Sequence, residues 1–416
     1  MKILVVGSGA REHALVNALL ADPAGHEVVA APGNGGMAQL VATVALNVND
    51  PEAVAALAVE LAADLVIVGP EAPLVAGAAD AVRSRGIACF GPSAAAAQLE
   101  GSKSFAKEVM AAAAVPTAAA HTCTTIAEVA EALDSFGPPY VVKDDGLAGG
   151  KGVVVTTDRD EALAHARRCI GAGSQLVIEE YLDGPEVSLF VIADGTTAVP
   201  MLPAQDHKRA GDGDTGPNTG GMGAYTPLAW APSDLVAEIV ARVAQPTIDE
   251  MARRGTPFSG VLYCGLALTS KGLRVVEFNA RFGDPEIQAV LRLLKSDLAP
   301  ILLAAAIGQL ATIPALEWSR GSASCVVIAA QGYPGDVIQG DDIDGIVAAE
   351  LLPGVSVVHA GTAFSADRRL VTAGGRVLSV TAIGDDLSQS LSRAYAGVAT
   401  ITIRGSHFRS DIGDHG

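Results

Sequence analysis

Short apolar runs alternate with Ala/Leu-rich stretches of helical period over the first hundred residues. The runs are Lys2–Val6, Glu27–Ala31, Leu65–Gly69 and Ile87–Gly91, and this alternation predicts a parallel sheet in an open α/β domain. Near Gly101 the pattern changes to a helix carrying Lys103 and Lys107, a strand Pro139–Lys143, a glycine-rich loop, a strand Val153–Thr156, and further strand and helix through about Leu182. Mixed strands and a long predicted helix, Pro232–Arg254, lead to an apolar strand and a helix after Glu286. The stretch Thr312–Gly321 reads as a linker. Strand-like runs at Ala323–Ala330, Ser356–Ala360 and Arg376–Ala382, with a helix from Leu387, predict a small terminal α+β domain.

At 416 residues the chain is too long for one ordinary core, so two to four domains are expected. A net charge of −18 and a pI near 4.8 argue against a nucleic-acid partner, whose phosphates would be repelled overall. They leave room for a local basic pocket that takes a small phosphorylated ligand. Cys89, Cys123, Cys169, Cys264 and Cys325 lie far apart without a C-x-x-C pair, against both a zinc site and a disulfide framework. The first apolar run meets Arg11-Glu12-His13 too soon for a signal segment, and no stretch approaches a membrane span. The expectation is a cytoplasmic protein with no membrane partner, a monomer or weak homo-oligomer.

Candidate chemistry concentrates in Gly272–Glu286, GLRVVEFNARFGDPE. A two-residue repeat puts Glu277, Asn279 and Arg281 on one face and Val276, Phe278 and Ala280 on the other. A carboxylate beside an amide oxygen suits a hard cation such as Mg²⁺, and a neighbouring arginine suits a carboxylate or phosphate. The competing reading is an amphipathic edge strand with a solvated face. A second element is Lys143 at a strand end, followed by Gly146-Leu147-Ala148-Gly149-Gly150-Lys151-Gly152. Its amides and ammonium groups can close over a triphosphate, although the spacing and the following helix of a Walker loop are missing. A third is Leu176–Glu186, an apolar strand running into Glu179-Glu180-Tyr181-Leu182, where backbone groups can meet an adenine edge and Glu186 a ribose hydroxyl. Gly7-Ser8-Gly9-Ala10-Arg11-Glu12 looks like a dinucleotide fingerprint, but Glu12 replaces the third glycine and the second strand ends without an acidic residue, which disfavours a nicotinamide oxidoreductase.

The order of strand-lysine, glycine flap, hinge strand and E-x-N-x-R matches the ATP-grasp architecture. Further motifs narrow it: Arg11–Ala14, Ala31-Pro32-Gly33-Asn34-Gly35-Gly36, Val68-Gly69-Pro70-Glu71, Gln98–Lys103, Gln205–Arg209, Thr215–Tyr225, Arg281–Glu286 and Arg409–Gly413. Together they resemble the glycinamide ribonucleotide synthetase family over nearly the whole chain. The resemblance implies an N-terminal open parallel α/β (pre-ATP-grasp) domain at 1–100, an ATP-grasp domain of two α+β subdomains at 101–311 with a lid at about 119–188, and a C-terminal α+β domain at 322–416.

It also implies an activity: ATP-dependent ligation of glycine to 5-phosphoribosylamine through glycyl phosphate, with Mg²⁺ or Mn²⁺. Lys103, Lys143 and Lys151, with Gly149 and Gly150, would hold the ATP phosphates. Glu179, Glu180, Tyr181 and Leu182 would line the adenine, and Glu186 would hold the ribose. Glu277 and Asn279 would carry the metal. Arg281, with Lys143 and Lys151, would be catalytic at the transferring phosphoryl group. Gly9, Arg11, Glu12, Asn34 and Glu71, together with Asp206, Lys208, Asn218, Gly221 and Asp284, would face the two substrates. For His207 and Lys208 two readings stand, phosphate contact or solvated charge cluster. Asp206–Tyr225 is expected to be a long functional loop. Asp144 departs from the family's usual alanine, placing a carboxylate beside the triphosphate unless its side chain points away.

Overall fold

The computed structural model describes residues 1–147 and 152–414. Its first hundred residues form a five-stranded parallel sheet in the order Ala42–Thr43, Glu27–Pro32, Lys2–Gly7, Leu65–Val68, Ala88–Phe90. Ile3 to Val6 are fully buried because the sheet is covered on both faces, as the near-continuous apolar runs foretell. The two faces join different cores. Leu4 and Val6 pack in one body with Val187, Leu189 and Leu262, while Ile3 and Val5 pack in another with Phe190, Ile192 and Val261. The N-terminal sheet is thereby welded to an antiparallel sheet in the order Ala198–Pro200, Glu186–Asp194, Ser259–Thr269, Gly272–Asn279.

A second antiparallel sheet, Ala120–Cys123, Leu176–Glu179, Tyr140–Asp144, Val153–Thr156 in spatial order, is roofed by helices Ile126–Phe136 and Arg159–Gly171. It has its own small core around Val129, Leu133, Val142, Ala166 and Ile178. The lid is thus a packing unit of its own, joined to the rest through polar contacts.

The expected loop Asp206–Tyr225 is instead a run of strands. Arg209–Gly211 pairs with Thr215–Asn218 as a hairpin, and Gly223–Thr226 enters a five-stranded sheet with Gln205–Asp206, Ser322–Ala329, Arg376–Gly384 and Val355–His359. Its glycine and polar content disguises pairing made through the backbone. The Thr312–Gly321 stretch is packed rather than loose: Ser319 N–H donates to Leu293 O at 2.7 Å, and Trp318 bridges to Leu294. The helix expected over Pro232–Arg254 starts at Leu235 and widens to a π turn at Val240–Ala244. Pro246 follows that turn, and its missing N–H removes the regular bond to Arg242 O. After Glu286 the helix is short, Glu286–Val290.

Candidate active site

The strand Gly272–Asn279 changes register in its middle. Gly265 faces Glu277, but Leu266 faces Val275, so Val276 is an extra residue, a β-bulge. Upstream Leu273 and Val275 are buried, whereas downstream Phe278 and Ala280 are. The bulge reverses which parity enters the core, and Glu277, Asn279 and Arg281 are left half-buried on the open face. The freed Val276 carbonyl accepts from Lys143 Nζ at 3.1 Å, which brings the lid's lysine to the metal-competent strand.

Lys143 reaches that position by strand alternation. Val142 packs under the lid helices, so Lys143 projects from the opposite face. Asp144 returns to the helix side, where its charge acts on His165 and Cys169 of Arg159–Gly171. The departure from the family pattern thus stands on the face opposite Lys143, although its charge still reaches Lys103. Lys143 Nζ also pairs with Glu179 at 2.7 Å, and Lys107 Nζ meets the other Glu179 oxygen at 2.9 Å. Burial pushes the Glu179 carboxyl up, but the two ammonium groups outweigh it and hold it below the usual range. Lys103 Nζ donates to Gly146 O at 3.0 Å at the root of the flap. Beside it, Ser104 N–H and Oγ both donate to Asp145, at 2.7 and 2.6 Å. Gly149, Gly150 and Lys151 lie outside the described residues.

Burial likewise pushes Glu277 up, and Lys208, Lys143, Lys103 and Arg281 together bring it below its ordinary value. One carboxylate and one amide on a single strand face fit a hard ion that keeps water and phosphate oxygens as its other ligands. Among the described residues no group of three or more His, Cys, Asp or Glu side chains is placed to hold a metal ion.

Arg281 is held by carboxylates from two places. Its Nε donates to Glu71 at 3.1 Å, Nη2 meets Glu100 at 3.0 Å, and Nη1 donates to Phe282 O at 3.2 Å. Arg11 Nη1 donates to the same Phe282 carbonyl at 3.0 Å, so N-terminal domain and strand end meet there. Glu12 is turned inward: it accepts from Gly9 N–H and Arg11 Nε, each at 2.6 Å. Its carboxylate sits where a Cβ on Gly7, Gly9 or Gly69 would intrude. The glycines of the would-be fingerprint therefore seat an internal carboxylate. A Gly69→Ala substitution should cost about 1–3 kcal/mol by this overlap, read as a lowered melting temperature, because the doubly bonded Glu12 cannot simply swing aside. Asn34 is also fully engaged, donating to Ser8 O and His359 O and accepting from Gly36 and Met37 N–H.

Asp206, Gly221 and Asp284 gather around Pro285 and Arg376. Asp284 pairs with Arg376 at 3.3 Å and accepts from Gln288 at 2.6 Å. A Cβ on Gly221 would strike both Pro285 and Asp206. Asp206 Oδ1 is buried without a hydrogen-bond partner, and burial with the neighbouring Glu286 charge raises its carboxyl well above the usual range. Lys208 is paired at 2.6 Å with the exposed Glu186, and His207 is buried. Asn218 lies apart on the 209–218 hairpin, which is pinned by Asp212 accepting from Ser410 N–H at 2.8 Å. Glu180, Tyr181 and Leu182 border a cleft of 180 Å³ with Thr269, Lys271 and Arg274, while Glu179 points to the lysines instead.

Sequence reasoning gave no site role to Lys107, Glu100 or Glu286. Lys107 stands four residues from Lys103 on one helix, a spacing that shares a face and was the available signal. Glu100 and Glu286 sit inside recognised motifs. Their contacts to Arg281 and to Ser188 Oγ at 3.0 Å depend on tertiary placement that no spacing conveys.

A lysine-bearing lid closing on a strand with a carboxylate, an amide and an arginine defines an ATP-grasp ligase. The N, ATP-grasp (A) and C domain descriptions of phosphoribosylglycinamide synthetase match residues 1–100, 101–287 and 323–415. The chain belongs to the phosphoribosylglycinamide synthetase family. It is 59% identical over 414 residues to the phosphoribosylamine–glycine ligase of Streptomyces coelicolor, covering 99% of this chain and 98% of that one. The Mycobacterium leprae ligase is 52% identical over 423 residues, with 99% and 98% covered. Among solved structures, phosphoribosylamine–glycine ligase from Thermotoga maritima superposes with a TM-score of 0.86 at 30% identity, covering 99% and 100%. The biotin carboxylase domain of Hydrogenobacter thermophilus 2-oxoglutarate carboxylase shares the fold alone, with a TM-score of 0.72 at 18% identity and 98% and 91% covered.

Proposed function

We propose that the chain joins glycine to 5-phosphoribosylamine at the expense of ATP, giving glycinamide ribonucleotide, ADP and phosphate, the second step of de novo purine synthesis. The observation that carries this reading is the convergence of Lys143 on the strand end that presents Glu277, Asn279 and Arg281. A glycine carboxylate oxygen attacks the γ-phosphorus and ADP departs, leaving glycyl phosphate. The amine of phosphoribosylamine then attacks the acyl carbon, loses a proton, and phosphate leaves with the electron pair of the broken C–O bond. Neither step needs a covalent enzyme nucleophile.

Lys103, Lys143 and Lys151 neutralise phosphate oxygens, and Arg281 stabilises the charge that develops on the transferring group. Glu180 to Leu182 receive the adenine and Glu186 the ribose. Gly9, Arg11, Glu12, Asn34 and Glu71 form the phosphoribosylamine side of the site, Glu12 by shaping the turn. Asp206, Lys208, Gly221 and Asp284 help bind phosphoribosylamine and glycine, together with Asn218 from the hairpin that stands apart from them. Glu277 and Asn279 would hold Mg²⁺ or Mn²⁺, which supplies Lewis-acid neutralisation of the phosphates. The substrates are small charged metabolites, and the reading includes a cytoplasmic monomer or weak homo-oligomer.

An ATP-consumption assay tests the reading. ADP and phosphate should accumulate steadily only with glycine and phosphoribosylamine both present. Turnover indifferent to glycine would sink it.

A further inference from the structure

Arg281 is bound in a way that opposes its proposed role. Its guanidinium has five N–H donors, and three nitrogens are committed to Glu71, Glu100 and Phe282 O. One cation between two carboxylates presents no net positive charge to an incoming γ-phosphate. This holds although burial pushes Glu100 up to about 7, since Glu71 remains ionised, drawn down to about 2 by Arg281 and Arg11 against the effect of burial. For Arg281 to stabilise phosphoryl transfer, one carboxylate has to let go.

The two are not equally free to do so. Glu100 is 8% exposed and is fixed a second time by Ala280 N–H at 2.7 Å. Glu71 is 30% exposed and bonds Arg281 through Nε. Arg11, whose Nε is paired with Glu12, donates with Arg281 to the same Phe282 carbonyl, and its charge already acts on Glu71. Glu100 is the anchor and Glu71 the exchangeable partner.

We propose that Glu71 couples the two halves of the reaction: it restrains Arg281 until a ribonucleotide-type substrate on the N-terminal domain engages the Glu71 carboxylate and releases the guanidinium toward the phosphates. This rests on the ligase reading above and adds to it that occupancy of the amine site controls phosphoryl transfer to glycine. Such a latch limits wasteful formation and hydrolysis of glycyl phosphate when the amine is absent.

The test is glycine-dependent ADP formation without phosphoribosylamine, with hydroxylamine present to trap glycyl phosphate as the hydroxamate. The full chain is compared with Glu71→Gln, Glu71→Ala and Glu100→Gln. In the unsubstituted protein this amine-free rate should be a small fraction of the complete reaction. Glu71→Gln and Glu71→Ala should each raise it at least about fivefold while raising KM for phosphoribosylamine, because the restraint and the recognition are lost together. Glu100→Gln, which removes the anchor, should lower kcat of both reactions without a matching change in KM for ATP. An amine-free rate that is unchanged or reduced in both Glu71 variants overturns the latch. Failure of the unsubstituted protein to turn over with all three substrates would instead overturn the ligase reading, so the two failures are distinguishable.

Discussion

Replacing Glu277 and Asn279 together by alanine should lower kcat by at least about a thousandfold and leave the protein folded. A thousandfold corresponds to about 4 kcal/mol of lost transition-state stabilisation, the scale expected when a charge-neutralising ion loses its protein ligands. Folding should survive because these side chains are on the open face, and the strand is secured by backbone pairing, Gly265 with Glu277 and Tyr263 with Asn279. The residues that fill the core from this segment, Phe278 and Ala280, are untouched. Steady-state turnover at varied Mg²⁺ and Mn²⁺, beside a melting curve, checks both halves. Turnover near that of the unsubstituted protein would remove the metal assignment. A collapsed melting curve would mean instead that Glu277 is held for stability by the cations around it.

What the sequence disclosed about this site followed from periodicity. From Glu277 onward the two-residue repeat separates Glu277, Asn279 and Arg281 from Phe278 and Ala280 as expected, while Val276, expected with the latter, is the half-buried bulge residue. It does so because a bulge intervenes, and nothing in GLRVVEF marks one: upstream, the same parity is buried at Leu273 and Val275. The parallel N-terminal sheet was legible because strands covered on both faces are written as unbroken apolar runs. The strands of 205–226 were not. Their pairing is made by main chain rich in Gly, Thr and Asn, and Gly223 lies so close to Cys325 O that a side chain there would strike it, a demand set by a strand a hundred residues away.

Charge partners were the least legible. Glu179 reads as the last residue of an apolar strand before a hinge, a natural neighbour for a nucleotide. The fold turns it instead to Lys143 and Lys107. Arg281 stands beside the metal pair in sequence, yet its partner Glu71 comes from another domain, 210 residues earlier. Such contacts arise from how domains dock, and local pattern carries no record of that.

Glu179→Ala should therefore damage stability more than nucleotide contact alone explains. Glu179 is 3% exposed, and its removal leaves Lys143 and Lys107, both largely buried, without their shared counter-charge. Breaking a buried pair by deleting one partner costs about 3–5 kcal/mol, and here two cations are stranded by one substitution. The loss should appear first as unfolding of the lid, whose core is separate and small, so amide exchange in 119–179 should accelerate ahead of exchange in the N-terminal sheet. Because the folded-state carboxyl is held below its ordinary value of 4.5, its contribution is complete above that pH and is lost as pH falls through the lower folded value. The stability difference between the unsubstituted protein and Glu179→Ala should accordingly be full at pH 7 and shrink under acid. Denaturant melts at pH 7 and pH 3 measure it. A difference below about 1 kcal/mol at pH 7 would show that the lysines find other partners, and that the triad holds the lid less firmly than its distances indicate.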